Sequence, residues 1–343
     1  MTGSNDGREA VDPGFGGRVC AAFGIDPDEM QLTPLPASST RLWALQTARS
    51  RFAVKEFPYH DGDRPAGLAV AAEFEHSLWR TSRLVMPEPV RARDGQLVVL
   101  IAGSRGAEVS VRIHRWLTGS VVPVPPSAAT SADAGRALAT IQRSGSALAC
   151  RPSGSLRWWT SDPRDSLDGL TDAGLLSDDQ AEKARASLDG AMLLLAAGEQ
   201  VPGSWIYTHC DHKPENSLLV GERVAVLDWD ECGYCNPRQE AAESALRWAG
   251  VSLGEPSPEA FRAFLRGYEY ETGSLGALSP ADFAKWVAAV AGWFWFTARR
   301  ALGEFDDTEA ERTAAAEMTI GAIENLDRTL ASVDGWAESF SER

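Results

Sequence analysis

Apolar and polar positions divide the chain into two stretches of different rhythm. From Gln31 to His114 the pattern is short and alternating. Leu32–Leu35, Leu42–Gln46, Arg51–Phe57, Pro89–Ala92, Leu97–Ile101 and Val109–His114 each combine apolar or β-branched residues with turn formers at their ends, such as Arg93-Asp94-Gly95. That pattern predicts strands. One helix, about Ala69–Arg83, interrupts them. Its Val70, Phe74 and Leu78 recur every four residues, and Pro87 and Pro89 follow its end. Residues 1–30 read as a polar tail and a short helix around Arg18–Phe23.

The rhythm changes after Thr118-Gly119-Ser120-Val121-Val122-Pro123-Val124-Pro125-Pro126, a breaker segment suited to joining two lobes. Helices are then expected at Ala132–Ser144, Ser177–Ala197, Gln239–Gly250, Pro258–Gly267, Ser279–Leu302 and Thr308–Val333. Ser177 and Gln180 have capping-box spacing, with Gly198 as the stop, and Ser279-Pro280 is a cap followed by proline at the first helical position. Between the second and third of these helices lies a loop, then a hairpin-like pair around Ser217–Val220 and Val224–Leu227. The expected class is α+β, with a β-rich N-terminal lobe, residues 1–117, and a mainly helical C-terminal lobe, residues 118–343.

Composition narrows the function. With 343 residues, 44% hydrophobic and 24% charged, the chain has the make-up of an ordinary globular protein with a sizeable core. A net charge of −15 argues against a nucleic-acid partner, which demands clustered Lys and Arg. It permits a cationic acceptor, although an acidic surface is also a common route to solubility. The first residues hold no apolar signal core, and no run of about 18 apolar residues would span a membrane. Five scattered cysteines fit reduced thiols and a cytoplasmic location.

The loop His209-Cys210-Asp211-His212-Lys213-Pro214-Glu215-Asn216 concentrates the chemistry. Asp211 is followed by Asn216 five positions on and by Asp228, in Leu227-Asp228-Trp229-Asp230, 17 positions on. One carboxylate near an acceptor hydroxyl, with separate oxygen ligands for Mg²⁺, is what metal-assisted phosphoryl transfer requires. Such a reaction also needs a cation on the phosphates and an anchor for it. Lys55, in Phe52-Ala53-Val54-Lys55-Glu56-Phe57, can face a cleft from its strand, and Glu75 on the following helix is the expected partner of its ammonium.

These motifs resemble the aminoglycoside phosphotransferase and choline kinase superfamily, with its protein-kinase-like fold. The resemblance spans about residues 31–303. It rests on His209, Asp211 and Asn216, then Leu227, Asp228 and Trp229, with Pro87 and Pro89 standing 12 and 14 residues after Glu75. It implies that Asp211 orients the acceptor hydroxyl, that Asn216 and Asp228 hold Mg²⁺, and that Lys55 and Glu75 serve the phosphates of ATP or GTP. His209 would brace the loop. Ile113–Gly119 resembles the interlobe hinge, where backbone groups of Arg115 and Leu117 would read the nucleobase, with His114 flanking. Asp211–Asn216 also looks like the catalytic loop of protein Ser/Thr kinases, and by that analogy Lys213 would neutralise the transferring phosphate. A protein kinase itself is disfavoured: Cys210 replaces the usual Arg, Asp-Trp-Asp replaces Asp-Phe-Gly, and no Ala-Pro-Glu follows.

The loop Pro36-Ala37-Ser38-Ser39-Thr40 lacks the glycines of a protein kinase, leaving backbone amides or the Ser38 and Ser39 hydroxyls to contact phosphate. Cys232-Gly233-Tyr234-Cys235 invites a zinc reading, but a structural zinc needs four ligands, and two free thiols are expected. Trp286, Val290, Trp293 and Thr297 share a helical stripe expected to be core, with a possible share in an acceptor wall. Asp230, Glu231 and Glu240 are candidates to attract a cationic acceptor. The expected activity is phosphorylation of a small molecule's hydroxyl, an antibiotic of aminoglycoside, macrolide, basic peptide or nucleoside type leading. A metabolic kinase of choline, homoserine or a sugar amine is the first alternative, and a non-catalytic nucleotide binder the second. The fold cannot choose the acceptor.

Overall fold

A computed structural model describes residues 12–35, 41–58, 64–148, 150–151, 154–254, 256–305 and 307–341. The architecture is α+β, with a sheet-rich N-terminal region and a helical C-terminal region. The chain divides into two compact units, Met1–Val122 with Glu215–Cys232, and Pro123–Pro214 with Gly233–Arg343.

In the first unit, helix α1 (Phe15–Phe23) precedes strands β1 (Gln31–Leu35), β2 (Arg41–Gln46) and β3 (Arg51–Pro58). Helix α2 (Arg64–Thr81) and strands β4 (Val99–Ala102) and β5 (Glu108–Arg115) complete an antiparallel sheet of order β1-β2-β3-β5-β4. Alternation along β3 and β5 decides what each face carries. Phe52, Val54, Val111 and Ile113 join Phe15, Val19, Trp43 and Leu45 in a buried cluster. The intervening residues, Lys55 and Arg112, lie directly across from each other, and by the same alternation they share the opposite face. Two like charges in cross-strand register repel, so this pair needs carboxylates close by.

Helix α2 buries Leu68, Ala71, Ala72, Phe74, Glu75 and Leu78, whereas Val70 is 55% exposed. The four-residue spacing expected for its stripe drifts by about 40° per step on a 3.6-residue helix, which carries Val70 out of the core. Pro89–Ala92, expected as a strand, forms only a bridge at Pro89, with Val90 N–H donating to the Ile113 carbonyl at 3.0 Å. Proline has no N–H with which to extend a ladder. The strands β6 (Ser120–Val121), β8 (Ser217–Val220) and β9 (Arg223–Val226) make a second sheet, order β6-β8-β9. They belong with the first unit because Val226 N–H donates to the Val85 carbonyl and Trp229 packs edge-on against Phe74. A single cut after Leu117 leaves these ties out of account.

The second unit contains α3 (Ala128–Ser146), α4 (Asp165–Asp172), α5 (Asp178–Gly198), β7 (Ile206–Thr208), β10 (Gly233–Cys235), α6 (Pro237–Trp248), α7 (Pro258–Thr272), α8 (Ala284–Ala301) and α9 (Glu309–Ser341). The Ser177–Gln180 capping box forms as expected. Gly198 is not the expected stop. It is the last residue of α5, and a Cβ there would lie 2.1 Å from that of Ala284, so close packing demands the glycine. Gly135 and Gly267 bring α3 and α7 together in the same way, each facing the other helix's backbone at 2.0 to 2.1 Å from a hypothetical Cβ. Strand β10 takes up Gly233–Cys235 of the Cys-Gly-Tyr-Cys segment, pairing antiparallel with β7.

Candidate active site

Within the first unit, α2, β3, β5 and the turn after β9 build a chain of alternating charges. The Lys55 ammonium lies 2.6 Å from Asp228 Oδ1 and also pairs with Asp230. Asp230 Oδ1 accepts from Arg112 at 2.9 Å, and Arg112 reaches on to Glu75, whose other oxygen accepts from His114 Nε2 at 3.0 Å. Asp230 therefore stands between the two cations that the strand register places opposite each other. The expected Lys55–Glu75 pair is absent, since Arg112, fully buried beside Glu75, takes that carboxylate first. Asp230 is likewise no lure for a cationic acceptor, because it is buried and engaged by two side chains, only 7% exposed.

Asp228 sits at φ 59°, in the left-handed region. Asp tolerates that conformation better than most residues, and it re-aims the chain sharply after β9. Leu227 N–H donates to the Asn216 carbonyl at 2.9 Å, which continues the β8–β9 register in which Ser217 faces Val226. Asn216 and Asp228 thus lie one register step apart. Burial pushes the Asp228 carboxyl up to about 6 despite Lys55, and the neighbouring Asp230 carboxylate adds to the effect. Asp230 is held low by Arg112 and Lys55, which overcome its own burial. A carboxyl raised by burial and by a neighbouring carboxylate, one register step from an Asn, is a donor set that Mg²⁺ can use. That ion binds through one or two carboxylates together with phosphate oxygens and water. Among the described residues no three His, Cys, Asp or Glu side chains gather into a metal cage.

Within the second unit, Asp211 follows β7 in a loop braced from α6 and α8. Cys210 has φ 63°. Its N–H donates to Glu240 Oε1 at 2.6 Å, and its carbonyl accepts from Lys285 Nζ at 2.8 Å. Lys285 also pairs with Glu243, which accepts from Arg247 Nη2 at 2.8 Å. Asp211 pairs with Lys213 at 2.7 Å and its side chain is 21% exposed. Burial alone would raise its carboxyl, but Arg247, Lys213 and His209 together hold it below the ordinary value and so ionised. Asp211 N–H donates to His209 Nδ1 at 3.3 Å, in keeping with a bracing histidine. His212 is sealed against Trp248 and Phe264 and donates from Nε2 to the Ala134 carbonyl at 3.1 Å. Glu240, expected near a cationic acceptor, is instead completely buried and bonded to Gln142 and Cys210.

The phosphotransferase enzyme family matches residues 31–278, well over half the chain. The chain belongs to that family. No curated protein matches the sequence. Among solved structures, an amicoumacin kinase in complex with AMP-PNP, Ca²⁺ and Ami superposes with a TM-score of 0.62 at 14% identity, covering 91% of this chain and 92% of that one. A microcompartment-associated aminopropanol kinase gives 0.59 at 17%, covering 89% and 93%. A choline kinase from Cryptosporidium parvum Iowa II gives 0.57 at 10%, covering 95% and 98%. At such identities the likeness establishes the kinase-like fold and leaves the acceptor open.

The remaining expected site residues of this phosphotransferase fall as follows. Arg115 N–H is committed to the Glu88 carbonyl at 2.9 Å and Trp116 N–H to the Arg51 carbonyl at 2.9 Å, so the Arg115 amide is not offered to a base. Among the described residues nothing accepts the Leu117 N–H. Ser38 and Ser39 lie outside the described residues. Cys235 is buried in β10, and Trp286 and Val290 are core, while Trp293 is 46% exposed. Arg112, Glu243, Arg247 and Lys285 escaped the sequence reading because the partners of Arg112 and Lys285 are distant in sequence. The available signals were a Lys early in an apolar helix and the i,i+4 spacing of Glu243 and Arg247.

Proposed function

We propose that this phosphotransferase transfers the terminal phosphoryl group of ATP or GTP, with Mg²⁺, to a hydroxyl of a small molecule, and that the acceptor is an antibiotic. The observation that supports the reading is the backbone tie between Leu227 and Asn216, one register step from Asp228, whose carboxyl is raised by burial and by Asp230. In this reading Asn216 and Asp228 hold the metal, and Mg²⁺ when bound offsets the charge of the phosphate oxygens. Lys55 is drawn from Asp228 to the nucleotide phosphates, while Arg112 keeps Glu75 and Asp230 satisfied. The Leu117 amide reads the nucleobase. Asp211, ionised, accepts a hydrogen bond from the acceptor hydroxyl and aligns its oxygen, and Lys213 counters charge on the transferring phosphoryl group. The described helices include none long and apolar enough to cross a membrane. The cysteine pattern supports action in the cytoplasm.

The test is an acceptor panel of aminoglycosides, macrolides, basic peptide and nucleoside antibiotics, choline, homoserine and aminopropanol. Each is incubated with ATP or GTP and Mg²⁺, and product is sought by mass. Gain of one phosphoryl group on an antibiotic is expected. Product from choline, homoserine or aminopropanol alone would transfer the chain to metabolism, and nucleotide binding without product from any acceptor would end the proposal.

A further inference from the structure

The peptide group that joins Cys210 to Asp211 is gripped from outside the loop. Its carbonyl, that of Cys210, accepts from the Lys285 ammonium at 2.8 Å. The N–H of Cys210 is held separately, by Glu240 on α6. Fixing the plane of the Cys210–Asp211 peptide limits the directions in which the Asp211 side chain can leave the backbone. Cys210 needs such restraint, since a non-glycine residue at φ 63° costs energy and persists only where its surroundings dictate it.

Lys285 is badly placed for any purely local role. It is the second residue of α8, where the helix's own dipole disfavours a cation, and it lies in an apolar segment, Ala284-Lys285-Trp286-Val287. Its charge is kept by Glu243, which is 3% exposed and shared with Arg247. Arg247 in turn stacks over Trp286, the residue after Lys285, at 5.0 Å. Glu243, Arg247 and Lys285 thus form a brace between α6 and α8, and Lys285 carries it to the loop at the Cys210 carbonyl.

We infer that Lys285, held by Glu243, is a positioning residue for the phosphoryl-transfer reaction, setting the direction of Asp211 through the Cys210 carbonyl. This rests on the reading of Asp211 as the group that aligns the acceptor. A misplacement of about 1 Å at such a group costs on the order of a hundredfold in rate, so loosening the brace is expected to act on turnover and to spare nucleotide binding.

The experiment compares wild type, Lys285→Met, Lys285→Arg, the double variant Lys285→Met with Glu243→Gln, and Asp211→Asn. The double variant removes both charges of the pair, which keeps the question answerable if Lys285→Met alone fails to fold. Two measurements need no acceptor: the rate of Cys210 alkylation by iodoacetamide, and amide exchange of residues 209–212, both read by peptide mass spectrometry. The third is Mg²⁺-dependent hydrolysis of ATP and GTP, with water as acceptor. Expected for the double variant are alkylation and exchange faster by about tenfold or more, kcat lower by about ten- to a hundredfold, and an unchanged nucleotide KM. Lys285→Arg, which keeps a donor, is expected to recover part of kcat. Wild-type alkylation and exchange in the double variant would overturn the brace. A loosened loop with undiminished kcat, while Asp211→Asn abolishes hydrolysis, would overturn positioning and leave the Asp211 reading intact. Undiminished hydrolysis in Asp211→Asn would remove that reading and the positioning role with it.

Discussion

The two charge clusters of this protein balance their books differently. In the first unit three carboxylates, Glu75, Asp228 and Asp230, meet two cations, Lys55 and Arg112, and the Asp228 carboxyl is pushed up by its burial and by Asp230. In the second, Lys213, Arg247 and Lys285 surround Asp211 and Glu243, and both carboxyls are held down. Unmatched negative charge suits the divalent cation proposed for the first cluster, and a self-neutral set suits the aligning role proposed for Asp211 in the second.

The largest effect should come from the self-neutral cluster. Asp211→Asn keeps the size of the side chain and removes the charge that, in the proposed reading, accepts the hydrogen bond of the substrate hydroxyl. A loss of roughly a hundred- to ten-thousandfold in kcat, about 3 to 5 kcal/mol of barrier, is expected with nucleotide affinity retained. Steady-state kinetics on whichever acceptor the panel identifies, together with nucleotide titration, checks both halves. Near-normal kcat would erase the distinction drawn between the clusters.

Next in size is Arg112→Met. Arg112 is 2% exposed between Glu75, which is fully buried, and Asp230, at 7%. Removing one member of a buried ionic network strands the others, at a cost of about 3 to 5 kcal/mol. Adding Glu75→Gln should recover part of that loss. Denaturant unfolding of the single and double variants measures it, and purely additive effects would show that the charges are not linked through Arg112.

What the sequence made legible follows the same division. Short-range signals were readable: alternation in β3, the Ser177–Gln180 cap, and the spacing of Asp211, Asn216 and Asp228. Asn216 and Asp228 lie one register step apart because the hairpin between them is a local structure with a simple register. The partner expected for Lys55 is not the one it has, because choosing Asp228 and Asp230 over Glu75 depends on β5 supplying Arg112 from 37 residues beyond Glu75. Lys285 lies 75 residues from Cys210, and no periodicity connects them. Helix stripes misled where a spacing of four was read for one of 3.6, as at Val70. Gly198 misled because a glycine ending a helix and a glycine admitting a neighbouring helix are the same letter.

Mild acid offers a smaller test, and it bears on the second unit. His212 is buried, and that burial pulls its imidazole from the usual 6.5 down to about 3, so it stays neutral in the folded protein. The unfolded chain takes up this proton first, so stability is full above about 6.5 and is lost as pH falls from there towards 3. At pH 5 the loss from this one group is about 2 kcal/mol. Urea midpoints of wild type and His212→Phe at pH 7 and pH 5 isolate it, and equal pH slopes in the two proteins would show that His212 does not titrate on unfolding.

The smallest expected change has the opposite sign and sharpens the contrast most. A carboxyl raised in the folded state favours unfolding when ionised, so Asp228 works against stability at neutral pH, and this penalty shrinks as pH falls from about 6 towards the ordinary 3.8. Asp228→Asn should therefore leave Tm at pH 7 unchanged or raise it by about 2 °C, the gain vanishing in mild acid. A side chain 39% exposed is partly screened by water, which keeps the effect small. The same substitution should abolish the rise in Tm that Mg²⁺ with nucleotide gives the wild type through mass action. Asp211→Asn should keep that rise, because in the proposed reading Asp211 aligns the acceptor and is not a metal ligand. Scanning fluorimetry with and without Mg²⁺ and nucleotide resolves the four cases. A fall in Tm for Asp228→Asn would mean that Lys55 satisfies this carboxylate fully, and the case for a charge-deficient metal site would go with it.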